Sequence, residues 1–335
     1  MKILITGGTG FLGRRLVQAL AYRHDVTLLA RPSSNRRGFP KTVAFATGDV
    51  TDRASLEAAM QGHDHVVHAA ALVKLMAPAA QFDAINVGGL ENVLAAARAV
   101  SGIQRVVYVS SFMAFGPSDA QPNRVHTEQS PVDDRRWINH YERTKTLADR
   151  VARRAIDEGA PLNVVYPGVI YGPGVLTEGN IIVRHLLDLA RGKVPALMGD
   201  HSRQWNYVFV ENVVEGIVEV LQHAPRGERY ILGGDNVTLE TFYRTAARIT
   251  GVRVPSLHLP RPVARFTGLL MKGAARLTRS TPTLTPDIVE VYHRDWGLDS
   301  STAERDLGYR WRTLDEGLTQ TLRWLRDSGT WPADA

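Results

Sequence analysis

A doubly wound α/β fold built on a parallel sheet is what this sequence predicts, and three observations predict it. Short apolar segments alternate with helical ones through the first half of the chain. The segments are apolar on both parities, which suits strands covered by helices on two faces and not a sheet with one wet side. Glycine-rich and small-residue turns recur just after them, at the strand ends where such sheets gather ligands. The strands are read at residues 2–6, 26–29, 43–46, 65–68, 106–110 and 162–166, and the helices at 14–22, 54–61, 82–100 and 136–158.

The first strand, Lys2-Ile3-Leu4-Ile5-Thr6, runs straight into Gly7-Gly8-Thr9-Gly10-Phe11-Leu12-Gly13. The spacing G-x-x-G-x-x-G between a strand and a helix points to a dinucleotide site. Gly7 permits the tight turn, Gly10 lets backbone approach a pyrophosphate, and Gly13 lets the helix pack close to the strand. The helix N-terminus then offers free N–H groups and a partial positive charge to the phosphates.

The second strand ends Leu28-Leu29-Ala30-Arg31-Pro32. NAD users end it with an acid for the ribose 2′-hydroxyl. Here Arg31 is next in line, Arg36 and Arg37 follow, and a guanidinium suits a 2′-phosphate. NADP is therefore expected in preference to NAD. Asp49-Val50 close the third strand's turn, His68-Ala69-Ala70-Ala71 end the fourth strand, and Ser110-Ser111 end the fifth. Further on, Tyr141-Glu142-Arg143-Thr144-Lys145 sets a phenol and an ammonium on one helix face. A phenol with a pKa of about 10 is a poor base at neutral pH. The ammonium one turn away is expected to bring it down toward working range.

Glycine loop, strand-end serine and Tyr-x-x-x-Lys, in that order, resemble the short-chain dehydrogenase/reductase superfamily in its extended branch, the NAD-dependent epimerase/dehydratase group. The resemblance covers nearly the whole chain. It implies a Rossmann-type domain over residues 1–166, with returns near 203–232, and a smaller, interleaved substrate lobe over 167–335. It implies Tyr141 as general acid/base, Lys145 as its partner and the holder of the nicotinamide ribose, and Ser111 on the substrate oxygen. Ser111 is preferred to Ser110 for its place five residues before Gly116. Asp49 and Val50 are placed by the adenine, and Ala69, Ala70 and Ala71 under the adenosine half. Thr9, Phe11, Leu12, Pro167 and Val169 join the coenzyme site, and Asn86 is a structural support. A homodimer through the helices at 82–100 and 136–158 is expected by the same resemblance.

Composition narrows the class. The chain has 335 residues, is 44% hydrophobic and contains no cysteine, so disulfides and thiolate chemistry are excluded. It opens on a strand, and no apolar run approaches about 18 residues. A cytoplasmic protein with no leader and no membrane span is expected. The formal net charge of +6 comes with arginine pairs scattered at 14–15, 36–37, 135–136 and 153–154 and not gathered into a stripe, so no nucleic acid is expected. His63, His65 and His68 surround one strand without a partner cluster, so no metal is expected.

Departures from the nucleotide-sugar pattern bear on the reaction. Nucleotide-sugar relatives typically carry an arginine where this chain has Trp205, in Trp205-Asn206-Tyr207-Val208, with Arg203 two residues early. They also carry an asparagine after the sixth strand, where this chain reads Tyr166-Pro167-Gly168-Val169-Ile170-Tyr171. Leu72, Val73, Phe112, Met113, Phe115 and Trp205 are expected near an apolar cleft. The expectation is an NADP-dependent oxidoreductase that reduces a carbonyl, or oxidises the alcohol, of a small apolar substrate. In character it is closest to dihydroflavonol reductases and 3β-hydroxysteroid dehydrogenases. The alternative is a nucleotide-sugar epimerase/dehydratase with tightly bound NAD, whose relatives share the tail at 296–309. A cofactor-sensing regulator would usually have lost the tyrosine or the lysine. Residues 261–279 read as an apolar, basic helix, expected to cover the substrate cleft, with a seat on a membrane surface as the alternative.

Overall fold

The computed structural model describes residues 1–74, 77–131, 137–199, 202–278 and 284–332; Arg135, Arg136 and Arg279 lie outside them. Among the described residues the strands are β1 (Lys2–Thr6), β2 (Asp25–Ala30), β3 (Ala44–Thr47), β4 (His65–His68), β5 (Arg105–Val109) and β6 (Val125–His126). The later ones are β7 (Leu162–Pro167), β8 (Val169–Tyr171), β9 (Gln204–Phe209), β10 (Arg229–Leu232), β11 (Asp235–Thr238) and β12 (Gly297–Leu298). Seven strands form the main sheet in the order β10-β7-β5-β4-β1-β2-β3, every neighbouring pair parallel.

The apolar strand runs are explained by their two coverings. Ile3, Ile5, Val67, Val107 and Val165 pack with Leu16, Val17, Ile217 and Leu221, on helices Phe11–Leu20 and Val210–His223. The alternate residues Leu4, Val66, Val106 and Val164 pack with Leu56, Leu90, Val93 and Ala152, on helices Arg53–Met60, Gly88–Ala99 and His140–Asp157. Each such burial contributes roughly 1.5–3 kcal/mol. That is enough to offset about 1–2 kcal/mol of backbone ordering per residue.

The strand order reverses between β1 and β4, so the crevice at their carboxyl ends is the ligand position of this architecture. Three helix boundaries differ from expectation. The first helix starts at Phe11, inside the glycine motif, because Gly10 serves as its N-cap. The helix expected from 136 starts at His140, where the Asn139 side chain accepts from Glu142 N–H. The stretch expected at 82–100 is broken: Ala79–Phe82, a π-helical turn Asp83–Val87, then Gly88–Ala99.

Two smaller sheets lie beyond. One has the order β11-β9-β8, and the other pairs β12 with β6. A third apolar core gathers Tyr171, Leu186, Tyr207, Phe242, Trp296 and Leu322 around them. No helix among the described residues is long and apolar enough to cross a membrane.

Candidate active site

The glycine turn is set by close approach. Gly7 has φ +73°, and a Cβ there would lie 2.5 Å from the Ala69 carbonyl carbon and the Ala70 nitrogen. A Cβ at Gly13 would strike the Gly7 carbonyl oxygen. The loop thus sits directly on the end of β4. Ala69 N–H donates to Thr6 O at 3.1 Å, and Ala69 and Ala70 are half-buried while Ala71 is exposed. Gly10 caps the helix without a side-chain acceptor, which leaves its first-turn N–H groups to an anion. Phe11 is buried against the chain at Gly174, and Thr9 and Leu12 are half-buried. These residues fit the pyrophosphate half of NAD(P).

Beyond β2, Arg14 pins the basic loop. Its guanidinium donates to Arg37 O at 2.9 Å and to Asn35 O at 3.0 Å, and lies 4.4 Å from the Phe39 ring centroid. Arg36 donates to Thr47 Oγ1 at 3.2 Å and lies over Phe45. Arg31 is exposed, and its backbone carbonyl accepts from Ser34 N–H at 3.0 Å. Asp49 is engaged locally: its Oδ1 accepts from both Thr51 N–H and Thr51 Oγ1 at 2.9 Å. Val50 is buried beside Gly89, while Pro167 and Val169 are buried at the β7–β8 junction.

Ser111, Tyr141 and Lys145 come together at the end of β5. Ser111 caps the short turn Phe112–Ala114, accepting from Met113 N–H at 3.2 Å, and hydrogen-bonds Tyr141. Lys145 is buried, and its Nζ donates to Val109 O at 3.1 Å and to Tyr108 Oη at 3.4 Å. That nitrogen lies 5.1 Å from the Tyr108 ring centroid and 6.0 Å from that of Tyr141. The helix carrying both residues is tied down on each side of Lys145. Thr146 donates to Ala114 O at 3.1 Å. Asn86, from the π-turn, donates to Thr144 Oγ1 at 3.0 Å and to Leu72 O at 3.1 Å, and accepts from Leu72 N–H at 2.7 Å.

Electrostatics corrects one expectation. Burial raises the Tyr141 phenol above its ordinary value, and the Ser111 hydrogen bond only partly opposes it. Burial acts on Lys145 in the other sense and lowers its ammonium to about 7. His68, also buried, is held to about 3 by burial and by the Lys145 charge, and is neutral. It hydrogen-bonds Thr6 Oγ1 through Nδ1 at 2.7 Å and stacks on Tyr108.

Sequence reasoning missed Tyr108 and Arg14. Tyr108 shares its side of the strand with Ser110 and not with the preferred Ser111, so strand parity did not point to it. Nothing in the sequence marked Arg14.

Two residues expected at the cleft are core residues instead. Phe115 is buried against His126 and Tyr166, and Trp205 stacks on Tyr292 with centroids 4.8 Å apart. Arg203 is committed, donating to Asp119 Oδ1 at 2.9 Å and to the buried Asp295 Oδ2 at 2.8 Å. The three histidines do not converge: His63 meets Thr27 Oγ1, and His65 meets Asp64 Oδ1.

Comparison with known proteins agrees with this geometry. The family model described as NAD dependent epimerase/dehydratase matches residues 3–233. A 3β-hydroxysteroid dehydrogenase/Δ5→4-isomerase of Mycobacterium tuberculosis is 31% identical over 96% of this chain and 89% of its own length. The 4-hydroxy-2-methyl-3-oxo-4-farnesyl-3,4-dihydroquinoline-1-oxide ketoreductase of Stigmatella aurantiaca is 30% identical over 98% of this chain and 97% of its own. Among solved structures, the dTDP-glucose 4,6-dehydratase DesIV of Streptomyces venezuelae, with NAD bound, superposes with a TM-score of 0.77 at 25% identity, over 100% of both chains. With a dinucleotide loop, a Tyr-x-x-x-Lys helix and a family match across most of its length, this chain belongs to the NAD-dependent epimerase/dehydratase family of extended short-chain dehydrogenases/reductases and is an NAD(P)-dependent enzyme.

Proposed function

We propose that the protein reduces the carbonyl of a small apolar substrate with NADPH, or oxidises the corresponding alcohol. The observation that carries this reading over sugar-nucleotide chemistry is the commitment of Arg203. A nucleotide sugar brings a second pyrophosphate and needs a cation for it. Trp205 stands in the stacked core at the usual place, and Arg203 is held between Asp119 and Asp295. Freeing Arg203 would leave the buried Asp295 carboxylate without its close cation, held by Gln204 N–H at 2.8 Å and by the longer Arg124 contact of 3.6 Å. The names of the two sequence relatives, a steroid dehydrogenase and a ketoreductase, support the same class.

NADPH, when bound, would supply the hydride. The Ser111 and Tyr141 hydroxyls hold the carbonyl oxygen. Tyr141 Oη passes its proton to that oxygen as it becomes an alcohol. Lys145 then offsets the phenolate charge. Phe112 and Met113, directly after Ser111, and the half-buried Leu72 and Val73 favour an apolar substrate body. Arg31, with Arg36, would hold the 2′-phosphate. The coenzyme half comprises residues 1–166 and the returns near 203–232, and the substrate half comprises the rest of 167–335. A homodimer would use the outer groove between helices Gly88–Ala99 and His140–Asp157, where Leu94, Ala97 and Val151 are available.

A thermal-shift panel with saturating NADPH tests the substrate class. Alicyclic and aromatic ketones should stabilise the protein and be reduced, while UDP- and dTDP-sugars should not shift it. Micromolar binding of any nucleotide sugar would overturn the reading.

A further inference from the structure

The helix Arg261–Thr278 has two unlike faces. Ala264, Gly268 and Ala275 are buried, and a Cβ at Gly268 would lie 2.9 Å from the Thr285 carbonyl carbon, so this stripe is pressed against the start of helix Pro286–Tyr292. The other face is apolar and open. Val263, Phe266, Leu269 and Leu270 are 49, 63, 59 and 60% exposed, and Leu257, just upstream, is 63% exposed. Lone exposed leucines need no explanation, but a contiguous stripe of this kind marks an interaction surface.

The rim of the stripe is cationic. Arg261, Arg265 and Arg294 share the single Glu290 carboxylate, at 2.6, 3.8 and 2.9 Å. Lys272 faces Asp287 at 3.9 Å. Three guanidiniums on one carboxylate leave a surplus of positive charge beside the apolar face, in a chain of formal net charge +6. A second copy of the chain suits this face poorly, because a two-fold contact would set the same cationic rim against itself. An anionic lipid surface suits it on both counts.

We propose that this helix docks the protein on an anionic bilayer, lying in the headgroup plane with Phe266, Leu269 and Leu270 inserted. This face is open, so covering of the substrate cleft, the expectation from sequence, would fall to the inner face. Its inner face joins a small core with Leu284 and Val289, against which Met198 packs. Met198 also packs against the larger core that Phe112 and Met113 adjoin, so the docked helix is continuous with the lobe beside Ser111.

The test is flotation of the full chain with vesicles of phosphatidylcholine mixed with phosphatidylglycerol, against phosphatidylcholine alone. Binding is expected to the mixed vesicles only and to weaken as salt rises. It should fall at least about tenfold in Phe266→Ser combined with Leu270→Ser, two exposed positions. As a second readout, a Phe266→Trp variant should show a blue shift in emission on adding the mixed vesicles. Absence of flotation, equal flotation by the double variant, or no shift at the tryptophan would overturn the proposal. So would a dimer in sedimentation that the double variant dissociates, since the occupant would then be a second copy. These readouts do not depend on the substrate reading, because none of them measures turnover.

Discussion

Burial acts in opposite senses on the two groups that share the proton chemistry: it pushes the Tyr141 phenol up and the Lys145 ammonium down to about 7. Unfolded, the lysine would titrate near 10.5, so between these values the unfolded chain binds more protons and stability gained at this residue rises with pH. Below pH 7 the buried charge costs its full penalty. Lys145→Met is therefore expected to raise the melting temperature of the free protein relative to the parent most at pH 6. That advantage should shrink steadily as pH climbs through about 7 toward 10. Melting curves across that range check it, and a difference independent of pH would sink the assignment. Tyr141→Phe should lower kcat by at least about 10²-fold, with NADPH affinity unchanged in a fluorescence titration. Near-normal turnover would remove Tyr141 from the chemistry. For Arg31, loss of a charge-assisted hydrogen bond is worth about 1.5–3 kcal/mol. Calorimetry of Arg31→Ala should show NADPH binding weakened roughly tenfold or more, and NADH binding similar to the parent's.

The π-turn Asp83–Val87 shows how an element carries a site it does not touch. Its Asn86 joins Leu72 to Thr144, the neighbour of Lys145, through three hydrogen bonds. Asn86→Leu would leave the Leu72 N–H and C=O without that partner, at about 1–3 kcal/mol for each unsatisfied group. A lowered melting temperature together with a lowered kcat is the expected pair; a kcat unchanged despite destabilisation would reduce Asn86 to a packing role. The strands of the main sheet were legible up to β7, because covering on two faces leaves a continuous apolar run. β10 was legible only as a return near 203–232. The glycine turn was legible because close approach leaves no room for a Cβ. The π-turn was not, since one extra residue per turn leaves no mark in the composition of Asp83-Ala84-Ile85-Asn86-Val87. Nor was the fate of Phe115 and Trp205, because an aromatic side chain lines a cleft or fills a core with the same pattern. The raised phenol was hidden for a related reason: spacing places an ammonium one turn away, but only three dimensions show that both groups are buried.

At the scale of the molecule, the chain crosses repeatedly between its layers. After building β8 and β9 it returns to add β10 beside β7, and near the C-terminus it adds β12 beside β6. Glu128, buried ahead of the Tyr-Lys helix, accepts from Ile231 N–H on β10 at 2.8 Å. Interlocking of this kind predicts a single calorimetric transition with equal van't Hoff and calorimetric enthalpies, and two resolved transitions would contradict it. The lone-edge position of β10 has a consequence for anyone who cuts the gene. β7 is buried along its whole length and is flanked by β5 and β10. A fragment ending at residue 166 keeps the dinucleotide loop and the Tyr-Lys helix yet bares an apolar strand with open hydrogen-bonding groups, a template for pairing with other chains. Such a fragment is expected to collect in inclusion bodies and not to serve as a freestanding coenzyme-binding module, so the last third of the chain acts, in effect, as the chaperone of the first half.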